Sequence, residues 1–261
     1  VRDRYAGRTM ARVMSFVSSV FILVPMLAPS LGQAVLLFAN WRGIFWGFVL
    51  VAIMTMAWFA LRMPETLAPE KRRPLHLGDL WSGTRELFTH RIILVSILLQ
   101  ALTLAALFGT LSSLQGIFEQ QFDRAGSFPL WFALIAITSM AGSLLNTRFV
   151  MTLGMRRIVR RTYVGMLGLT LLALVTLGSG VLQGGPGFAM QILWCIGLFS
   201  MMGLTMGNLN ALAMEPVGHI AGLAASVISS AATIGSVVLA IPVGLAFNGS
   251  STPLLVGVTL L

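Results

Sequence analysis

Long runs without a charged residue restrict this chain more than any other feature of its sequence. The run between Arg12 and Arg42 covers 29 positions, and three later runs cover 19, 27 and 23 positions. Each suits a membrane-spanning helix, which needs about 20 apolar residues. Only 10% of the residues are charged, whereas an ordinary soluble domain has about 25%. The sequence therefore predicts an all-α, polytopic membrane helical bundle.

Turn signals divide the remaining apolar sequence. Residues 162–214 and 216–261 are each too long for one span, and they contain the turn sequences QGGPG and NGSSTP. The spans are predicted at about 14–38, 43–62, 92–116, 127–147, 162–181, 187–210, 221–246 and from 253 onward. The last span has nine residues before the sequence ends, and the sequence starts with Val1. We expect a fragment that is cut at both ends.

The basic residues are sorted by side of the membrane. If the spans alternate in direction, fifteen of the 17 lysines and arginines lie on one side, and only Arg42 and Arg124 lie on the other. The positive-inside rule makes the first side cytoplasmic. A net charge of +9 can also indicate nucleic-acid binding. Because this charge follows the membrane topology and has no soluble domain around it, we expect no nucleic-acid partner.

Four short motifs occur in a fixed order in the first 70 residues or so. RDRYAGRTMAR precedes the first span, PMLAPSLGQ lies within it, NWRGIFW marks the next turn, and MPETL follows the second span. In this order they closely resemble the Bcr/CflA-type drug-resistance transporters of the major facilitator superfamily. Beyond these residues the resemblance covers the rest of the chain through topology and weaker local likeness.

The resemblance implies a proton-coupled exporter of drugs or other small amphipathic molecules, which works by alternating access. Such a protein is multi-pass and lies in the bacterial inner membrane. About eight of twelve spans would be visible: residues 1–62 end the N-terminal half with two spans, 63–91 form a cytoplasmic linker, and 92–261 form the C-terminal half. That half has six spans, the last one truncated. The implied partners are a small-molecule substrate, protons, the lipid bilayer and the missing N-terminal half of the same transporter.

The first span carries a stripe of proline and small residues on one helical face. The stripe consists of Pro25, Ala28, Pro29 and Gly32. Such a face lets another helix approach closely in lipid, so the plain interpretation is a kinked packing helix. The resemblance makes it the antiporter motif, about which the two halves rock. The suggested packing partner is the small or polar face of span 127–147, formed by Ala136, Ser139, Ser143 and Asn146.

The cytoplasmic loop before the first span holds Arg2, Asp3 and Arg12. By resemblance, these residues form a loop motif and an ion-paired latch for the inward face, although solvated turn charges are an equally simple interpretation. A degraded copy of the motif, GMRRIVRR, occupies residues 154–161 and lacks the acidic residue. We therefore expect that copy to serve only topology and docking.

Candidate substrate contacts come from two helical faces. By family analogy, spans 92–116 and 187–210 line the central cavity. The predicted substrate-binding residues are Gln100, Thr103, Trp194, Met201, Thr205 and Asn208. Aromatic and methionine side chains with a few amides suit varied amphipathic molecules. The alternatives are an interhelical hydrogen bond for Gln100, core packing for Met201 and an interfacial aromatic belt for Trp194.

No aspartate or glutamate lies inside a predicted span. Because a proton-coupled carrier needs a titratable group within the membrane, we expect the coupling carboxylate upstream of residue 1 or not at all. Three histidines and one cysteine have no metal-ligand spacing, and no phosphate loop is visible. We expect no enzyme, metal or cofactor. The alternatives are a metabolite or nutrient transporter of the same superfamily and, in another class, a channel or structural membrane protein.

Overall fold

The computed structural model describes residues 31–62, apart from Gln33, and residues 77–261. The chain divides into two units, Val1–Leu75 and His76–Leu261. Within the described ranges all regular structure is helical. Six described helical segments are long and apolar enough to cross a membrane. The prediction of an all-α polytopic membrane bundle is confirmed.

The described part of the first unit contains one long helix, α1 (Trp41–Arg62). Asn40 caps its start, because the Asn40 Oδ1 accepts a hydrogen bond of 3.0 Å from the Arg42 backbone N–H. The Arg42 guanidinium lies 4.4 Å from the Trp41 ring centroid, and that of Arg62 lies 5.5 Å from the Trp58 ring centroid. An arginine therefore stacks on tryptophan at each end, as is typical of helix ends at membrane interfaces.

The described part of the second unit contains seven α-helices. They are α2 (Leu77–Thr89), α3 (Arg91–Gly116), α4 (Phe128–Leu153), α5 (Met155–Gly178), α6 (Gly184–Met214), α7 (Ala221–Leu245) and α8 (Thr252–Leu260). Helix α3 packs most extensively on α7, α4 packs on α6, and α5 packs on α6 and α8. Helices α3, α4 and α5 form one set of three, and α6, α7 and α8 form the other. The first helix of each set packs on the middle helix of the other set: α3 on α7, and α6 on α4. The two sets interlock.

The connection between α4 and α5 is a single residue, Gly154, with φ at +77°. Glycine adopts this conformation without steric penalty and ends one helix abruptly. Helix α5 consequently begins at Met155, and the prediction that the span begins at about residue 162 was wrong. Four arginines assigned to a loop lie in the first two turns of α5 instead, namely Arg156, Arg157, Arg160 and Arg161.

Small residues set the spacing between α4 and α6. A Cβ added at Gly142 would collide with the Ser200 backbone, and one added at Gly203 would lie 2.6 Å from the Ser143 Oγ. Neither position tolerates a side chain without movement of the opposite helix. Close backbone approach through small residues is how helices pack in lipid, where van der Waals contact is the main attraction.

The two ends of the second unit differ in composition. We call the end where α3 finishes and α4 and α6 begin the aromatic end, because Phe118 contacts Phe128 and Phe188 there with ring centroids 5.2 Å apart. We call the opposite end the arginine end, since Arg91, Arg148 and Arg156 lie near the helix termini there. Beyond α3, a π-helical turn places the Gln121 Oε1 2.6 Å from the Ser251 backbone N–H.

Helix α2 lies within the segment predicted as the cytoplasmic linker. Leu87 is fully buried, and Gly83 lies against Leu223 of α7. Trp81 is 73% exposed on another face. The helix therefore packs on the bundle by one side and keeps an exposed aromatic side chain, as an amphipathic helix does.

Candidate functional site

The six predicted substrate-binding side chains all lie in the interior of the second unit. None is more than 4% exposed. They occur on α3 and α6, which pack against each other. The structure brings five of them into three separate groups and leaves Gln100 apart, and the binding role of all six stays a prediction.

The first group joins α3, α5 and α6 around the phenol of Tyr163. The Tyr163 hydroxyl oxygen lies 2.5 Å from the Thr103 Oγ1 and donates to the Leu99 carbonyl oxygen at 3.0 Å. The Thr205 side chain also interacts with this phenol. Thr103 and Thr205, predicted from separate helix faces, are thus connected through one side chain.

Sequence reasoning missed Tyr163. The predicted span began at residue 162, which placed this tyrosine at the membrane interface, where tyrosines are common. Because α5 begins at Met155, Tyr163 lies about two turns inside the helix. A tyrosine this far from a helix end needs a hydrogen-bond partner in the bundle, and an earlier helix start would have indicated this.

The second group is a pair of amides between α4 and α6. The Asn208 Nδ2 donates to the Asn146 Oδ1 at 2.7 Å and to the Leu204 carbonyl oxygen at 2.8 Å. On the same face of α4, the Ser139 hydroxyl is 3.3 Å from the Ile196 carbonyl oxygen of α6. The small or polar face of α4 therefore packs on α6. Most of the first predicted span lies outside the described residues, so its suggested contact with this face stays a prediction.

The third group surrounds Trp194, whose indole is fully buried between α5 and α6. Its Nε1–H donates to the Thr170 Oγ1 at 3.1 Å. Burial of this kind rules out the interfacial-belt interpretation of Trp194, because belt residues reach the headgroup region. Met201 belongs to the same apolar core as Trp194 and lies about two turns further along the same face of α6.

Gln100 differs from the other predicted contacts. It is 2% exposed, and its amide Nε2 has no hydrogen-bond partner among the described residues. A buried donor without a partner is unfavourable by about 1–3 kcal/mol. The alternative interpretation, an interhelical hydrogen bond made by Gln100, is therefore not supported for its Nε2. This amide nitrogen can donate to a ligand.

The interior is mainly apolar, and its polar side chains are uncharged. Every buried polar side chain in the described part of the chain is a hydroxyl or an amide, and none is ionisable. The same residues contain no group of three or more His, Cys, Asp or Glu that could hold a metal ion. The interior can offer hydrogen bonds and polarisable apolar surface, but no fixed charge.

Several predicted motif residues cannot be placed. Pro25, Ala28 and Pro29 lie outside the described residues, as do all three members of the loop motif, and Gly32 is in a described helical segment. The hinge and latch roles therefore stay predictions. Helix α7 also carries small residues at four-residue intervals, Ala225, Ser229 and Thr233, and these are exposed.

Long apolar helices, an uncharged polar interior and two interlocking sets of three helices define a multi-pass membrane protein of the transporter class. The sequence model of the family described as Major Facilitator Superfamily matches residues 1–240. This match covers most of the chain. The chain belongs to the major facilitator superfamily.

Of three curated relatives, two carry drug-resistance names. The chain is 28% identical over 238 residues to the bicyclomycin resistance protein homolog of Haemophilus influenzae, covering 88% of this chain and 57% of the relative. It is 29% identical over 242 residues to the multidrug resistance protein MdtL of Klebsiella pneumoniae, covering 90% and 57%. It is 25% identical over 232 residues to the uncharacterized MFS-type transporter YdgK of Bacillus subtilis, covering 87% and 56%. The predicted resemblance to drug-resistance members of the superfamily is confirmed, and the chain spans somewhat more than half the length of these relatives.

Proposed function

We propose that the protein containing this chain is a secondary active transporter that exports drugs or other small amphipathic molecules. The observation that carries this proposal is the similarity, over about nine tenths of the chain, to relatives named for bicyclomycin and multidrug resistance. All three relatives described are bacterial, which supports a location in a bacterial inner membrane. Export proceeds by alternating access and is coupled to protons.

The chemistry of the interior supports an amphipathic substrate. The thioethers adapt to varied substrate shapes, and the indole attracts cations through its aromatic face. The hydroxyls and amides offer hydrogen bonds. A metabolite or nutrient transporter for a charged substrate would need a fixed opposite charge in its cavity. The buried polar side chains of the described residues include none, which favours the drug-like substrate over that alternative.

Among the six predicted contacts, Gln100 is the strongest candidate. Its amide nitrogen has no partner, whereas Thr103, Trp194 and Asn208 already make hydrogen bonds within the bundle. Thr205 donates to the Met201 carbonyl oxygen at 2.7 Å, and Met201 packs in the main apolar core. These five residues would contact substrate only if the helices separate during transport, as rocking of the two halves allows.

The coupling group lies outside the described interior. The described acidic residues within or beside the long helices, such as Glu119 and Glu215, are exposed. A proton carrier must change its ionisation within the membrane, so we place the coupling carboxylate in the N-terminal half. The stripe from Pro25 to Gly32 acts as the flexing contact between halves, and Arg2, Asp3 and Arg12 form the latch.

The test is substrate-dependent proton flux in vesicles that contain the full-length protein. We expect an outward concentration gradient of an amphipathic cation, such as ethidium, to drive protons inward. We also expect counterflow, in which an unlabelled substrate on one side accelerates labelled substrate from the other. A conductance without saturation and without counterflow would favour a channel. Counterflow of charged metabolites but not of amphipathic cations would favour the metabolite transporter.

A further inference from the structure

One face of α5 carries a groove of about 570 Å³ at its arginine end. The groove is lined by Arg157, Arg160, Arg161, Val164 and Gly165. These positions follow the spacing i, i+3, i+4, i+7 and i+8, which defines one side of a helix. The opposite side of α5 packs on α6 and α8, so the groove faces outward from the second unit.

Among the described residues, the three arginines of the groove have no acidic partner. No ion pair joins them to a carboxylate in the part of the chain that the structure describes. The helix dipole does not compensate them either, because cations are unfavourable in the first turns of a helix. The 154–161 segment lacks an acidic residue. An anion in the groove would therefore remove repulsion as well as form charge-assisted hydrogen bonds.

The same face of α5 continues as an apolar surface. Val164 is 65% exposed, and a Cβ added at Gly165 or Gly168 would meet no other atom within 4 Å. Leu172 and Val175 extend the exposed face by two further turns. Because α5 is long and apolar enough to cross a membrane, this surface adjoins acyl chains. The cationic groove thus opens onto a flat apolar track along the helix.

We propose that this face of α5 binds an anionic phospholipid, with the phosphate on the three arginines and an acyl chain along Gly165, Gly168 and Val175. Guanidinium groups match phosphate geometry bidentately, and basic pockets between or beside spans are suited to acidic headgroups. Free phosphate would leave the apolar track unused. An acidic protein segment would pair with the arginines but would leave the same track uncovered.

The experiment measures lipid retention by the full-length protein with native mass spectrometry. The protein is reconstituted in excess phosphatidylethanolamine with phosphatidylglycerol as the anionic lipid. The test variant is R157Q/R160Q/R161Q. We expect its affinity for phosphatidylglycerol to fall about a hundredfold, because each basic residue near an anionic surface contributes about a fivefold gain. Phosphatidylethanolamine retention should not change.

The matched control variant is R91Q/R148Q/R156Q, which removes the same charge from exposed residues near the same end but outside the groove. We expect it to retain phosphatidylglycerol within about threefold of the unchanged protein, since longer-range charge is screened. Equal losses in the two triple variants would overturn the proposal, because they would indicate a diffuse charge effect.

A second variant distinguishes a lipid from free phosphate and does not depend on the triple variant folding. Gly165→Trp fills the apolar track and leaves all arginines in place. We expect weaker phosphatidylglycerol retention with unchanged competition by inorganic phosphate. If inorganic phosphate displaces the lipid at equal concentration, or if Gly165→Trp has no effect on lipid retention, the headgroup-and-tail proposal is wrong.

Discussion

The aromatic end of the second unit is held together mainly by ring packing, besides the hydrogen bonds of Ser251 to Gln121, and the region near the arginine end by other chemistry. At the aromatic end, Phe118, Phe128 and Phe188 pack ring against ring, and Arg124 lies 4.6 Å from the Phe188 ring centroid. Roughly two to three turns from the arginine end, hydroxyls and amides join the helices instead, as in the bond between Asn146 and Asn208.

The comparison indicates which end can rearrange. Edge-to-face ring contacts require close, dry packing and are lost once the helices separate. Hydrogen bonds between membrane helices are individually weak, about 0.6 kcal/mol on average, and water or a substrate can replace them. We infer that the aromatic end preserves the shape of the unit, while the interior near the arginine end accommodates exchange of partners.

The largest expected effect is at the aromatic end. Phe118→Ala removes the ring that contacts both Phe128 and Phe188 and leaves a cavity, so we expect a loss of about 3 kcal/mol in the free energy of unfolding. The measurement is an SDS titration of the protein in mixed micelles. Leu130→Ala is the control, because Leu130 is 76% exposed. A loss below about 1 kcal/mol for Phe118→Ala would contradict the rigid role of this end.

A smaller effect is expected for the amide pair between α4 and α6. A double-mutant cycle with Asn146→Ala and Asn208→Ala should give a coupling energy of about 0.6 kcal/mol and no more than about 1.7 kcal/mol. The cause is the 2.7 Å hydrogen bond between the two side chains. Asn146→Ala combined with Thr170→Ala should be additive, since these residues share no partner. A coupling energy as large as the loss of unfolding free energy for Phe118→Ala would contradict the inference that the aromatic end is the more rigid of the two.

The phenol contact should contribute still less. Tyr163→Phe removes the hydroxyl that contacts Thr103 and the Leu99 carbonyl oxygen, and we expect a loss of about 0.5 kcal/mol in the same titration. The Thr103 hydroxyl keeps its own bond to the Leu99 carbonyl oxygen, which limits the loss. Adding Thr103→Val should change little, because both partners are then apolar. Strong further destabilisation would show that Thr103 has another essential partner.

The smallest effect on stability is expected at Gln100, although its effect on transport should be clear. Gln100→Met keeps the side-chain length and removes an amide nitrogen without a partner, so the free energy of unfolding should change by less than about 0.5 kcal/mol or increase. If the amide contacts substrate, efflux by the full-length protein at low substrate concentration should fall at least about fivefold, the equivalent of one hydrogen bond.

The matched control for that substitution is Gln191→Met, because Gln191 is also buried with an amide atom that lacks a partner. Gln191 lies one turn from Phe188, near the aromatic end, and we expect efflux to be unchanged there. Equal losses of efflux for the two variants would mean that any buried amide matters equally. No loss for either would remove Gln100 from the candidate site.

The membrane spans were predictable because lipid leaves the backbone few choices. A long uncharged segment in a bilayer must form its hydrogen bonds within a helix, and this requirement predicts α3 and α4 closely and, with the turn signals that divide residues 162–261, also α6 and α7. The start of α5 was not predictable in the same way. Arginines can remain in the first turns of a spanning helix by extending toward the interface, so charge did not mark the helix start.

Packing faces were less predictable, as two similar stripes show. The small face of α4 that includes Ser139 packs on α6, whereas the small stripe of α7 that includes Ser229 is exposed and its neighbouring face, with Ala224 and Ile228, is buried. Both stripes satisfy the same spacing and size criteria. In lipid, small residues permit close approach but do not specify which helix approaches.

The sequence alone determined that this chain is a helical membrane protein and which ends of its helices carry the positive charge, because hydropathy and charge act on each segment separately. Only the tertiary structure decided that Tyr163 links three helices, that Asn146 pairs with Asn208, and that the Gln100 amide nitrogen lacks a partner. The physical reason is that hydrogen bonds between helices depend on the relative rotation and depth of two segments, and neither segment encodes these by itself.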